Sequence, residues 1–164
     1  MMEKPGGYRR IYRTLWDFNH DGRSMVHLID SWLWRAFVRR GPYDVMGTTI
    51  IAPSWPYHAA SILFHIGTTL ALWELLGMIL EPAAAFVGAG IFAVHPLHVT
   101  AVGYISGRAG IQSFFFSVLG YLHAAAGGWH WLAVPLSFYF GFKSKQDAVF
   151  YLALLPGVLW IVKN

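Results

Sequence analysis

The sequence has no cysteine and few charged residues. Its 164 residues include no Cys, and only 12% are charged, whereas about a quarter of the residues in a typical soluble domain are charged. The absence of Cys excludes disulfides and metal sites built from thiolates, and it leaves the redox compartment open. Because 56% of the residues are hydrophobic and 17% are aromatic, the composition excludes an ordinary water-exposed domain. It predicts an all-α integral membrane protein that crosses the bilayer several times.

Five apolar segments are predicted to form transmembrane helices, and together they define a transmembrane helical bundle over residues 56–164. A straight span needs roughly 20 residues, so the last two segments are short. Each also contains a proline, Pro135 or Pro156, which bends a helix. We therefore expect these two to form a bent pair buried against the other helices. The five segments are 56–77, 83–98, 109–126, 129–142 and 146–162.

Residues 1–55 are predicted to contain a basic arm, an interfacial helix and a loop. In the arm, arginine alternates with aromatic residues, a composition that suits anionic lipid headgroups better than nucleic acid. The arm lacks the apolar core of a cleavable signal. Residues 24–38 place apolar side chains on one helical face, with Asp30 and Arg35 off that stripe. They predict an amphipathic helix that lies in the membrane interface.

Positive charge falls almost entirely on one predicted side of the membrane. Counting the spans from the N-terminus places eleven of the twelve Lys and Arg residues on the N-terminal side, and Lys163 on the other. The positive-inside rule then predicts a multi-pass protein with a cytoplasmic N-terminus.

The same side collects the polar groups that could bind a phosphate. Arg gives bidentate hydrogen bonds to phosphate and Lys gives a point charge, so we predict a lipid-phosphate site there, without a metal or another cofactor. The alternative for the cations is that they only set the topology. For the histidines, hydrogen bonds between helices are expected rather than binding of a metal, haem or pigment. The candidate phosphate ligands are Arg108, Lys145, Lys143 and Arg23, and the histidines predicted to line the site are His58, His95 and His98.

Four segments resemble the membrane core of the TMTC-type O-mannosyltransferases and their bacterial relatives, which are GT-C glycosyltransferases. FAVHPLHVTAVGYISGR is similar to that family's FALHPxHTEAVxxxxGR, and YHAASILFH is similar to its YHLxNLLLH. KSKQDAVFYLALLP and GRSMVHLIDSWLW are similar to two further motifs. The resemblance covers about residues 23–160 and implies a reduced GT-C-like core. It also implies an extracytoplasmic site where cations hold a polyprenyl-phosphate sugar, an acidic residue acts as base, and Tyr57 joins the lining histidines.

The sequence departs from the family pattern where the family has acidic residues. Thr100 stands in place of the Glu of the first motif, and Gln146 in place of the Glu of the SKE motif. Asp17 and Asp21 are the remaining candidates for a catalytic base. We therefore predict a non-catalytic accessory subunit of a larger membrane assembly, with membrane lipids, polyprenyl phosphate and other membrane subunits as partners. The alternative is a glycosyltransferase that uses a polyprenyl-phosphate donor, and the family topology would place its N-terminus outside the cytoplasm.

Overall fold

The computed structural model describes residues 24–38, 54–104 and 107–164, and every regular element among them is helical. The apolar segments fold as helices because a helix satisfies its backbone hydrogen bonds internally. A π-helical turn, Trp34–Val38, follows the first helix, and a 3₁₀ turn, Gly128–Leu132, precedes the sixth. The α-helices are α1 Ser24–Leu33, α2 Trp55–Gly77, α3 Pro82–Val94, α4 Leu97–Gly103, α5 Arg108–Ala126, α6 Ala133–Ser144 and α7 Ala148–Lys163.

Helix α5 lies at the centre of the bundle, in contact with α2, α6 and α7. A small residue permits its close approach to α6, because a Cβ on Gly120 would lie only 2.6 Å from Cε2 of Phe138. Val118, Tyr121 and Phe138 form the core around this contact. The hydroxyl of Tyr121 also donates to the carbonyl oxygen of Tyr151 on α7 at 2.6 Å. Packing and this hydrogen bond therefore hold the outer helices around α5.

The outward faces of the helices are apolar. Leu63 on α2, Val94 at the end of α3 and Phe150 on α7 are 68%, 81% and 74% exposed. Helices that carry hydrophobic side chains on their outer as well as their inner faces pack against lipid or another chain. Hydroxyls also bond within their own helix, as Thr68 does to the carbonyl oxygen of Phe64 at 2.7 Å, so they need no water. These features support association with a membrane.

The prediction of about five spans is not confirmed. Among the described residues, only α2 is long and apolar enough to cross a membrane by itself. Helices α3 and α4 meet at an angle of 59° and qualify only as one broken span, while α7 is apolar but shorter. The inward faces of α5 carry buried polar residues, which lower its mean hydropathy, and α6 has only 12 residues. A segment that carries polar residues on its inner face, or that is broken at a proline, therefore has a shorter continuous apolar stretch than the prediction of a span requires.

Helix α1 is present, and its predicted position in the membrane interface stays a prediction. Val26 and Leu33 are buried against the bundle, whereas Trp32 is 64% exposed. Asp30, which lies off the predicted apolar stripe, forms an ion pair with the buried Arg108. Helix α1 packs on α6 and also contacts α2 and α5. The ion pair turns the face that carries Asp30 inward, and the predicted boundary between residues 55 and 56 stays a prediction.

Candidate functional site

Several polar residues meet at one end of the bundle, which we call the Arg108 end because α5 begins there. The guanidinium Nη1 of Arg108 donates to the carbonyl oxygen of Tyr57, in the first turn of α2, at 3.5 Å. The hydroxyl of Ser113 on α5 donates to the carbonyl oxygen of Lys145, just after α6, at 3.3 Å. The Arg108 end therefore contains the starts of α2, α5 and α7 and the end of α6.

Arg108 lies inside the protein and is held by other residues of the chain. Its side chain is completely buried and pairs with the carboxylate of Asp30. The guanidinium carbon lies 5.4 Å from the centroid of the Tyr57 ring, a cation–π distance. Its Nε has no hydrogen-bond partner among the described residues. The structure therefore places this predicted phosphate ligand in a position that joins α1, α2 and α5.

The two lysines near the end of α6 have different surroundings. Lys143 is fully buried, and its ammonium lies 5.8 Å from the centroid of the Tyr139 ring one turn earlier. Lys145 follows the helix, is 42% exposed and forms an ion pair with Asp147. Of the predicted phosphate ligands that the structure describes, Lys145 is the one that lines the cavity described next.

A cavity of about 330 Å³ lies between α2, α3, α4, α5 and α7 at the Arg108 end. One part of its lining is polar and another is apolar, so the cavity can hold a ligand that has a polar head and an adjoining apolar group. Its polar groups include Lys145, Asp147, Ser113, His65 and His98, and its apolar wall includes Phe92, Ile111, Phe114 and the ring of Tyr151.

Two histidines in the cavity lining, His65 and His98, also contact neighbouring helices. Nε2 of His65 lies 3.0 Å from the carbonyl oxygen of Ala93, so an N–H there would tie α2 to the end of α3. The His98 ring lies 5.1 Å from the His65 ring and 4.3 Å from the Phe92 ring, measured between centroids. The described residues contain no group of three or more His, Asp or Glu side chains placed to hold a metal ion.

The other predicted lining residues that the structure describes do not line the cavity. His95 lies at the break between α3 and α4, where its Nδ1 accepts from the amide of Leu97 at 3.3 Å. Its ring is 6.0 Å from the ring of His98. Tyr57 supports Arg108, and His58 is half-buried in the first turn of α2. The candidates Asp17, Asp21 and Arg23 lie outside the described residues.

Two residues at the Arg108 end were missed by sequence reasoning. Asp147 lines the cavity one position after Gln146, where the family motif led us to look for an acid. Gln112 is completely buried on α5, and neither its amide oxygen nor its amide nitrogen has a hydrogen-bond partner among the described residues. A polar residue inside an otherwise apolar segment is the sequence signal that could have identified Gln112.

Two curated proteins match part of this chain. Protein O-mannosyl-transferase TMTC3 of Mus musculus is 30% identical over 66 residues, which are 40% of this chain and 7% of the mouse protein. Protein O-mannosyl-transferase TMTC3 of Homo sapiens is 29% identical over the same lengths. The chain therefore matches a small part of these relatives, and the similarity supports a distant relationship to a glycosyltransferase. No family model matches the sequence, and the search of solved structures found no match.

Proposed function

We propose that this chain is a membrane-embedded, glycosyltransferase-like protein that binds a phosphate-bearing lipid at the Arg108 end and serves as a non-catalytic subunit. Because the resembling family uses polyprenyl phosphate, that lipid is the first probe of the site. The observation that carries the proposal is the cavity, which presents the ammonium of Lys145 beside an aromatic and aliphatic wall.

The lining of the cavity suits the polar end of a lipid. Lys145 is exposed enough to reach a phosphate oxygen, and lysine binds phosphate as a point charge. Phe92 and Phe114 offer apolar contact for the first carbon atoms of a lipid chain. Beyond the cavity, the rest of the lipid chain would pack against the apolar outer faces of the helices.

The two positions at which the resembling family has acidic residues, Thr100 and Gln146 here, contribute no carboxylate to the cavity. Thr100 is exposed, and its hydroxyl donates to the carbonyl oxygen of Leu97 at 3.1 Å. Gln146 is exposed on the turn between α6 and α7. Neither residue lines the cavity. At neutral pH, neither the hydroxyl of Thr100 nor the amide of Gln146 accepts a proton as a carboxylate does. These observations support a binding role without turnover.

Replacing Lys145 by methionine is expected to weaken the binding of polyprenyl phosphate about tenfold, because a charge-assisted contact is lost. Methionine keeps most of the aliphatic length, so packing changes little. Binding can be measured by native mass spectrometry of delipidated protein in detergent. Lys163→Met, at the other end of α7, is the matched control and should leave the affinity unchanged. Equal affinities for the Lys145 variant and the unaltered protein would contradict the proposal.

Sugar transfer is a second candidate function, and Asp147 is the observation that favours it. Asp147 is the one carboxylate that the described residues contribute to the cavity lining, and Lys145 lies beside it. In such a reaction an acceptor hydroxyl oxygen would bond to the anomeric carbon while the bond from that carbon to the phosphate oxygen breaks. Asp147 would take the hydroxyl proton, and Lys145 would stabilise the departing phosphate.

A transfer assay separates the two functions. We expect no sugar transfer from a polyprenyl-phosphate donor to a hydroxyl acceptor, because the non-catalytic role predicts binding only. Turnover that is lost in Asp147→Asn and partly regained in Asp147→Glu would establish the second candidate instead. Glu74→Gln, an acid replacement on α2 outside this cavity, is the control for a general effect of removing a carboxylate.

A further inference from the structure

We infer that the cavity selects a zwitterionic lipid headgroup, namely a phosphate that carries a primary ammonium group. The juxtaposition that points to it is Lys145 beside Asp147, both in the lining of a small cavity with an aromatic wall. The inference rests on the proposed function, since it names the class of phosphate-bearing lipid that the same site prefers to an anionic lipid such as polyprenyl phosphate.

The turn between α6 and α7 has a hydrogen-bonded backbone and two partly exposed charged side chains. The carbonyl oxygen of Lys145 accepts from the Ser113 hydroxyl at 3.3 Å and from the amide of Ala148 at 3.2 Å. The side chains of Lys145 and Asp147 are 42% and 47% exposed. Because an ion pair exposed to this extent is weak, a ligand can separate the two charges without displacing the turn.

The charge of the lining disfavours a purely anionic headgroup. Lys145 and Asp147 are the residues in the lining with formal charge when histidine is neutral, so the described lining is neutral in total. A phosphate that approaches Lys145 alone also meets the carboxylate of Asp147, which repels it. An ammonium attached to that phosphate converts the repulsion into a second charge-assisted hydrogen bond.

The aromatic wall and the size of the cavity fit the same headgroup. The ring of Phe114 lies 5.3 Å from the Tyr151 ring and 5.7 Å from the Phe92 ring, measured between centroids. An ammonium held by Asp147 can approach these ring faces, which attract cations. The volume of about 330 Å³ lies at the low end of the range for ligand pockets, so it fits a headgroup while the acyl chains remain outside.

Competition between phospholipids with identical acyl chains tests the inference. In native mass spectrometry of the delipidated full chain, we expect phosphatidylethanolamine to bind about tenfold more tightly than phosphatidylglycerol or phosphatidic acid. Phosphatidylcholine should fall between them, because its quaternary ammonium cannot donate a hydrogen bond to Asp147. Asp147→Asn should remove the preference, and Glu74→Gln should retain it. Circular dichroism of each variant confirms that the helices are intact.

The possible outcomes separate this inference from the proposed function. Binding of phosphatidylglycerol or phosphatidic acid as tight as that of phosphatidylethanolamine would overturn the selectivity, as would an unchanged preference in Asp147→Asn. Displacement of the lipid by equimolar soluble phosphoethanolamine would overturn its assignment to a lipid headgroup. If Lys145→Met instead leaves the binding of every phospholipid and of polyprenyl phosphate intact, the proposed function itself fails.

Discussion

Replacing Asp30 by asparagine is expected to lower the free energy of unfolding by about 3 kcal/mol, because the variant leaves the guanidinium of Arg108 buried without its counter-charge. The Arg108 side chain is completely buried, and its hydrogen bond to the carbonyl oxygen of Tyr57 is long, at 3.5 Å. Losing one partner of a buried pair costs about 3–5 kcal/mol. We expect the lower end of that range, because the Asp30 side chain is 32% exposed and water can enter from that side.

The loss should appear first in α1, since Asp30 is the residue through which this helix pairs with α5. Hydrogen exchange of the α1 amides in detergent should therefore accelerate more than exchange in α5. Overall stability can be measured by SDS-induced unfolding in mixed micelles. Combining Asp30→Asn with Arg108→Met should recover most of the loss, because no buried charge then remains unpaired.

Asp147→Asn is the matched control for this prediction. It removes a carboxylate from an ion pair whose two side chains are 42% and 47% exposed, so it should cost less than about 1 kcal/mol. The Asp147 side chain makes no capping hydrogen bond at the start of α7, so no cap is lost. If Asp30→Asn destabilises the protein no more than Asp147→Asn does, then Arg108 does not depend on Asp30 for its burial.

The positions of the helices could largely be predicted from the sequence. Segment 56–77 corresponds to α2, and segment 109–126 corresponds to α5. Hydropathy finds such segments because a continuous apolar stretch buries its backbone only as a helix. It did not find the bend at Pro96, where the preceding His95 adopts an extended conformation with ψ of 129°. A residue before proline avoids the helical region of backbone conformation. Hydropathy does not register this restriction, because the segment around Pro96 is otherwise apolar.

The partners of the charged residues could not be predicted in the same way. Asp30 and Arg108 are far apart in sequence, so no helical periodicity relates them, and the apolar stripe of α1 does not show that Asp30 pairs with a buried arginine. Asp147 was not predicted because the family motif has its acid at position 146, whereas it is the next residue, just before α7, whose side chain lines the cavity. The partner of Asp30 is set by a tertiary contact, which a local pattern does not encode, whereas the place of Asp147 depends on the direction of the turn between α6 and α7.

The glycine of the GR motif gives the second large effect, and its cause is steric. A Cβ on Gly107 would lie 2.7 Å from the carbonyl oxygen of Ala101, 2.9 Å from its Cα and 3.0 Å from the carbonyl oxygen of Thr100. These are backbone atoms of α4, which cannot rotate away as a side chain can. The φ angle of Gly107 is −71°, so alanine itself is unstrained there, and the conflict lies with α4.

We expect Gly107→Ala to cost about 2–3 kcal/mol, at the upper end of the range for overpacked positions, and to weaken lipid binding because α4 carries His98 and Ala101 of the cavity lining. SDS-induced unfolding and native mass spectrometry measure the two effects. Gly103→Ala is the matched control on the same turn, since a Cβ there meets nothing within 4 Å, and it should change stability by no more than about 0.5 kcal/mol. Equal stabilities for the two variants would show that α4 does not pack on the start of α5 as described. Loss of stability in Gly107→Ala without loss of lipid affinity would instead show that α4 supports the bundle but does not form the site.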